Sequence, residues 1–182
     1  MNEERYRGSY RIDSARLTEY DYGSNGMYFI TICTYKRVCY FGDIIWTEDG
    51  TAQLHPSEVG QLAIDCWQAI PTFFPFVELD TFQLMPNHLH GILWICKPGA
   101  EQPAWQPNQF GPQRQNLASI IRGYKSGVTV KARSEQINFQ WQPRYYDRVI
   151  RNQYELHRIR TYIENNPFNW LSDQNNPENL YM

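Results

Sequence analysis

Apolar and polar positions alternate in a way that divides the chain into four main strand-like and three helix-like segments. Met27 to Thr34 (MYFITICT) is dense in β-branched and aromatic residues and follows the turn-forming Gly23-Ser24-Asn25-Gly26, so it predicts a strand. Val38 to Ile45 predicts an extension of that strand or a short partner to it. Pro56-Ser57-Glu58 opens a helix in which Val59, Leu62, Ala63, Cys66, Trp67 and Ile70 recur at helical spacing until Pro71. Val77 to Met85 predicts a second strand, Pro86-Asn87 a turn, and His88 to Cys96 a third strand, which together read as a hairpin. Lys97 to Asn116 is rich in Gln, Pro and Gly and predicts a long surface loop. Leu117 to Arg133 predicts a second helix with Asn116 as its cap, although Gly123 and Gly127 weaken it. Phe139 to Ile150 (FQWQPRYYDRVI) predicts a final strand, and Asn152 caps a last helix that runs to Asn166-Pro167.

The resulting order, β-α-β-β-α-β with a trailing helix, predicts an α+β fold of the ferredoxin-like or RRM-like kind. In it an antiparallel sheet carries helices on one face, and an additional C-terminal helix carries Tyr162. In such a sheet the strand after the hairpin turn is central. One domain over residues 26–170 is expected, with an N-terminal extension over 1–25 and a polar, loose tail over 171–182. There is no internal repeat.

That central strand begins His88-Leu89-His90. Side chains alternate across a strand, so His88 and His90 point to one side of the sheet and Leu89 to the other. Two imidazoles so placed can share a divalent metal. Tyr162 and Asn166, four residues apart on the last helix, share a helix face. A tyrosine can attack phosphorus and hold a covalent intermediate, but its ordinary pKa near 10 makes it weak without a Lewis acid. The Asn166 carbonyl oxygen suits a hard cation as a third ligand beside two imidazoles. On composition alone Tyr145, Tyr146 and Tyr154 rival Tyr162 as nucleophile.

The net charge of −2 hides an uneven distribution. From Val38 to Phe110 the only basic residue is Lys97, whereas from Gly111 to Arg160 ten basic residues face three acidic ones. A local excess of that size can bind a phosphate backbone whatever the total. Arg122, Lys125, Arg144 and Arg148 are the candidates for tracking phosphates, and Tyr124, Trp141, Tyr145 and Tyr146 for stacking on unpaired bases. Cys33, Cys39, Cys66 and Cys96 lack paired C-x-x-C spacing and read as reduced core thiols. No apolar run approaches the length of a membrane span and no signal peptide is recognisable, so a soluble, cytoplasmic protein with no membrane partner is expected.

Four stretches in order, P-N-H-L-H-G-I-L (Pro86 to Leu93), G-Y-K-S (Gly123 to Ser126), W-Q-P-R-Y-Y-D-R-V-I-R-N (Trp141 to Asn152) and Y-I-E-N-N-P (Tyr162 to Pro167), resemble the HUH single-tyrosine transposases, most of all the REP-associated branch. The resemblance covers about Gly26 to Trp170. It implies that His88 and His90 are the metal-binding pair, that Tyr162 is the nucleophile, and that Asn166 stands where many relatives use glutamine as the third metal ligand. It implies Mg²⁺ or Mn²⁺ as cofactor and single-stranded or hairpin DNA as substrate. Cleavage would leave a 5′-phosphotyrosine and a free 3′-hydroxyl that are then rejoined. The charge and aromatic pattern, read beside the resemblance, gives the DNA-binding candidates Arg122, Tyr124, Lys125, Arg144 and Arg148. The resemblance leaves open a monomer, or a homodimer in which the tyrosine helix completes the partner's metal site. Two other readings stand beside it. One is a non-catalytic nucleic-acid-binding module of the same fold; the other is a metal-dependent phosphodiesterase that uses water instead of tyrosine.

Overall fold

The computed structural model describes residues 5–6, 9–10, 22–98, 114–173 and 175–177. In chain order its strands are Arg5–Tyr6 (β1), Ser9–Tyr10 (β2), Gly26–Cys33 (β3), Gly42–Trp46 (β4), Ala52–Pro56 (β5), Val77–Met85 (β6), His88–Ile95 (β7) and Tyr146–Ile150 (β8). Its α-helices are Glu58–Gln68 (α1), Ile70–Phe73 (α2), Leu117–Ser134 (α3) and Gln153–Glu164 (α4). Four strands form one antiparallel sheet in the order β6-β7-β3-β8, while β1 pairs with β2 and β4 with β5 in two separate ribbons. The protein is thus a mixed α+β chain built on a four-stranded antiparallel sheet, and β7 and β3 are its central strands.

Period-two alternation decides which side chains go where. On β3, Tyr28, Ile30 and Ile32 join the main core with Leu89, Leu93 and Ile95 of β7, covered by α1 and α3. On the opposite face Phe29, Ile92 and Ile150 pack with Leu156 and Ile163 of α4. The sheet therefore carries helices on both faces, and His88 and His90 lie on the α4 face. Leu117, Ile120, Ile121, Tyr124 and Val128 form the buried stripe of α3. Its start is fixed by a reciprocal cap: Asn116 Oδ1 accepts from the Ser119 N–H and Ser119 Oγ accepts from the Asn116 N–H, both at 3.0 Å.

Several expectations change. β8 begins only at Tyr146, not at Phe139. Residues 139–145 cross the end of β3 as a loop tied by the Thr34–Trp141 bridge and by Gln142 N–H donating to Cys33 O at 2.9 Å. Pro143 has no N–H to give a ladder, Arg144 sits at φ +68°, and the rings of Phe139 and Trp141 pack against Phe41, so pairing stops at the single Thr34–Trp141 bridge. β5 was not expected; Glu48-Asp49-Gly50, with Gly50 at φ +78°, is the turn that returns β4 into it. The tail past Leu171 does not hang loose where it is described. Trp170–Ser172 is a 3₁₀ turn, Asn176 is buried, and the Asn175 carbonyl accepts from Asn87. Cys39 is exposed, so it is not a core thiol. Most of the expected loop Lys97–Asn116 and of the extension 1–25 lies outside the described residues. Among the described residues no helix is long and apolar enough to cross a membrane.

Gly91, near the middle of β7, is a close-approach position. A Cβ there would meet Trp67 Cζ2 at 2.3 Å. Trp67 is buried and wedged against Phe82 and Tyr124, so it has nowhere to go. Gly91→Ala should cost about 1–3 kcal/mol in urea unfolding. An unchanged midpoint would mean that the indole moves freely and that the packing over β7 is loose.

Candidate active site

Asn87, His88 and His90 are positioned by the start of β7, and Thr31 by β3, where it pairs in register with His90. His88 is 0% exposed and His90 3%. Their Nε2 atoms face each other at 3.1 Å. His88 Nδ1 lies 2.8 Å from Asn87 Oδ1. The orientation of that amide follows from its other end: Asn87 Nδ2 donates to the carbonyls of Arg37 at 3.0 Å and Asn175 at 2.6 Å. Asn87 Oδ1 is therefore an acceptor, His88 carries its proton on Nδ1, and His88 Nε2 is a lone pair. His90 Nδ1 is 2.9 Å from Thr31 Oγ1, a hydroxyl that can rotate to accept or to donate. When it accepts, His90 Nε2 also presents a lone pair, and two lone pairs converge on one point.

Burial, first of all, keeps both rings neutral. His90 is held down at about 4, by burial and then by the Arg37 charge. His88 falls well below its usual value through burial, then the neighbouring His90 and Arg37, with the Asn166 amide working the other way. Neutral imidazole is the metal-binding form.

α4 brings Tyr162 to this pair, and the turn after it brings Asn166, both from the same chain. The helix ends at Glu164 with Asn165 as its cap, so Asn166 lies just past the helix and not on it as expected, its N–H donating to Ile163 O at 3.2 Å. The N-terminus of α4 is capped by Asn152 Oδ1, which accepts from the Glu155 N–H at 2.8 Å. Its flank is pinned by Arg160, which forms a two-pronged ion pair with Asp80 of β6 and holds that carboxyl down at about 2. Asp80 sits at the β-bulge between Leu79 and Phe82. Tyr162 Oη lies 3.3 Å from His90 Nε2, and its ring stands edge-on to Phe29 while remaining 49% exposed. Desolvation and then the Asp173 charge raise its pKa, against a lowering contribution from Asn166. Asn166 is 3% exposed, and its Oδ1 has no hydrogen-bond partner among the described residues.

That orphaned amide oxygen and the facing nitrogens make a donor set that fits a divalent cation. Two nitrogens about 2.1 Å from one ion, at angles between octahedral and tetrahedral, are themselves about 3.0–3.4 Å apart. Among the described residues no three of His, Cys, Asp and Glu cluster as ligands, so an amide is the third donor available here.

The expected nucleic-acid residues fare differently. Tyr124 is not a surface aromatic: it is 3% exposed, its hydroxyl donates to Ala63 O at 3.2 Å, and Trp67 and Trp141 cover its ring. No face is left for a base. Lys125 is half-buried and straps α3 to the following loop, donating to Gln142 O at 2.8 Å and Arg144 O at 3.1 Å. Arg122 is exposed on α3, across the sheet from the histidines, and Arg144 is exposed in the loop before β8. Arg148 pairs in register with Phe29, which puts it on the site face, where it forms an ion pair with Glu155 at 2.6 Å. Tyr146, on that same face and exposed, stands edge-on to Phe29. Tyr145 packs partly into the main core, and Tyr154 is exposed near the far end of α4 from Asn166. Among these tyrosines, Tyr162 is the one hydrogen-bonded to the histidine pair. Thr31 and Asn87 were missed as site residues. The alternation that puts Phe29, Thr31 and Cys33 on one face was the signal for Thr31; Asn87 was read as a turn residue only.

No protein-family model matches the chain. An uncharacterized protein of Haemophilus influenzae is 41% identical to it over 175 residues, covering 92% of this chain and 94% of that one. Among solved structures, a REP-associated tyrosine transposase bound to a REP hairpin superposes with a TM-score of 0.57 at 16% identity, covering 86% of this chain and 73% of that one. The chain therefore belongs to one family with the Haemophilus influenzae protein, and its fold is that of the REP-associated tyrosine transposase.

Proposed function

We propose that the protein is a metal-dependent DNA strand transferase that cuts single-stranded or hairpin DNA through a 5′-phosphotyrosine on Tyr162. The observation that carries this is the meeting, within one chain, of a hydroxyl nucleophile with two neutral imidazoles and an orphaned amide oxygen. His88 Nε2, His90 Nε2 and Asn166 Oδ1 would hold Mg²⁺ or Mn²⁺. Bound there, the ion would supply Lewis-acid polarisation of the phosphate. The transposase of like fold is bound to a REP hairpin, and we carry that substrate class to this chain.

The chain's own groups define the rest. Phe29 and His90 fix the Tyr162 ring from the side and leave its outer face open to a strand. Asn87 and Thr31 hold the histidine rings so that little reorganisation is needed when substrate arrives. Tyr162 Oη bonds to phosphorus as the bond to the 3′-oxygen breaks. Its phenolic proton passes to solvent, and the departing 3′-oxygen takes one up. The phosphotyrosine keeps the phosphodiester energy for rejoining. Tyr146 and Arg148 share that face of the sheet, and in this reading they meet the strand beyond the cut.

The test is a denaturing gel of labelled hairpin oligonucleotides, copied from palindromes flanking the gene, incubated with Mn²⁺. Wild type should form a covalent adduct; Tyr162→Phe should bind the hairpin and form none. An adduct surviving in Tyr162→Phe would hand the nucleophile to another tyrosine, Tyr146 first. Cleavage without any adduct would favour a water-using phosphodiesterase.

His88→Ala and His90→Ala should abolish the adduct and Mn²⁺ binding in calorimetry while sparing hairpin affinity, which rests on phosphate contacts. Asn166→Gln should change metal affinity in either direction, because it moves the amide oxygen by one methylene. Unaltered metal affinity in Asn166→Gln and Asn166→Ala together would remove Asn166 from the site.

Neutral histidines also set a pH dependence. Unfolded histidine protonates near 6.5 and folded His90 only near about 4, so between those values the unfolded chain binds more protons. In EDTA, stability should be greatest above pH 6.5 and fall as the pH drops toward 4, by at most about 1.4 kcal/mol per pH unit for each histidine. Urea titrations across that range should show a shallower fall for His90→Gln. A fall identical to wild type would mean that His90 is not buried in its neutral form.

A further inference from the structure

The turn after β3 does something unusual for residues with side chains. Lys36 at φ +52° and Arg37 at φ +59° are consecutive left-handed residues, a conformation that costs L-residues about 1–2 kcal/mol each. The turn is held by the site itself. Asn87 Nδ2, the same amide that orients His88, donates to Arg37 O, and the Arg37 N–H donates to Thr34 O at 3.2 Å. The side chain then folds back so that Nη1 donates to Cys33 Sγ at 3.0 Å. Cys33 is the cross-strand partner of His88 on the same face of the sheet, so the guanidinium lies beside the histidine pair.

Arg37 pairs with no carboxylate among the described residues. Asp173 is the carboxylate whose charge reaches this region, acting on Cys33 and Tyr162. A fixed cation beside two metal-binding imidazoles opposes a divalent ion. It becomes favourable once an anion arrives to meet both charges.

We propose that Arg37 clamps the phosphate: its guanidinium takes a non-bridging oxygen of the phosphodiester that Tyr162 attacks. The inference rests on the strand-transfer reading above. As the Tyr162–phosphorus bond forms and the bond to the 3′-oxygen breaks, proton loss and uptake balance and nothing is oxidised or reduced. The added charge appears on the non-bridging oxygens, where a planar, two-pronged donor is worth most.

Arg37→Asn is the variant of choice, because asparagine accepts a left-handed φ and keeps the turn while removing the guanidinium. In the Mn²⁺ hairpin assay it should slow adduct formation by about 100–1000-fold, the scale for losing one charge-stabilising donor. Arg37→Lys should fall in between. Hairpin affinity, measured by anisotropy in the Tyr162→Phe background, should stay near wild type. The deciding arm puts a methylphosphonate at the phosphate that wild type cuts. With one non-bridging oxygen replaced by methyl there is less charge to hold, so the gap between wild type and Arg37→Asn should shrink toward none. A wild-type rate in Arg37→Asn, or an equal loss on phosphodiester and methylphosphonate, overturns the clamp and leaves strand transfer standing. A wild-type protein that forms no adduct overturns both.

Discussion

One buried amide holds the chemistry together. Asn87 is fully enclosed and uses both ends of its side chain: Oδ1 sets the His88 tautomer, and Nδ2 ties down the carbonyls of Arg37 and Asn175. Its own carbonyl accepts from the Thr34 N–H at 2.9 Å and the Thr34 hydroxyl at 3.0 Å. One residue thus joins the central strand, the turn after β3 and the C-terminal segment. Losing the side chain would leave several buried polar groups without partners, each costing about 1–3 kcal/mol. The orientation of the His88 ring, the Arg37 turn and the docking of the tail therefore stand or fall together.

The sheet divides labour by parity. Even-numbered positions of β3 and odd-numbered positions of β7 build the large core under α1 and α3; the alternate positions carry Phe29, Thr31, Cys33, His88 and His90. A one-residue slip in the pairing of β7 would exchange Leu89 for the histidines. The apolar burial on one face thus enforces the arrangement of polar groups on the other, at no extra cost in specificity.

The four strands of the main sheet, the helices α1, α3 and α4, the shared face of His88 and His90, and the caps at Asn116 and Asn152 were legible because each depends on local periodicity or on a short-range hydrogen bond. Tyr124 was misjudged although its spacing was informative. It falls on the stripe Leu117, Ile120, Ile121, Tyr124, Val128, and a tyrosine at that register is a core residue with a bonded hydroxyl. Tyr162 lies off the buried face marked by Leu156 and Ile163, which is why its ring stays accessible. Arg37 and the second role of Asn87 were illegible for a different reason. The Asn87 amide reaches Arg37 and Asn175, fifty or more positions away, and no short pattern encodes a left-handed arginine. The strand predicted from Phe139 failed because aromatic, β-prone residues serve core packing as readily as pairing.

The two halves of the proposed chemistry rest on supports of unequal strength. His88 and His90 are set in the central strand β7, whereas Tyr162 and Asn166 arrive on a helix and the turn that follows it, whose apolar seat is a small cluster of Phe29, Ile92, Ile150, Leu156 and Ile163, with the Arg160–Asp80 pair at its flank. Native-state opening free energies follow such differences in buried contact. By that measure the amides of α4 should exchange with solvent sooner than those of the central strands. In the proposed chemistry the nucleophile and the amide ligand share that one seat, apart from the imidazole pair, so occupancy of a metal centre there and docking of the helix would be a single linked equilibrium.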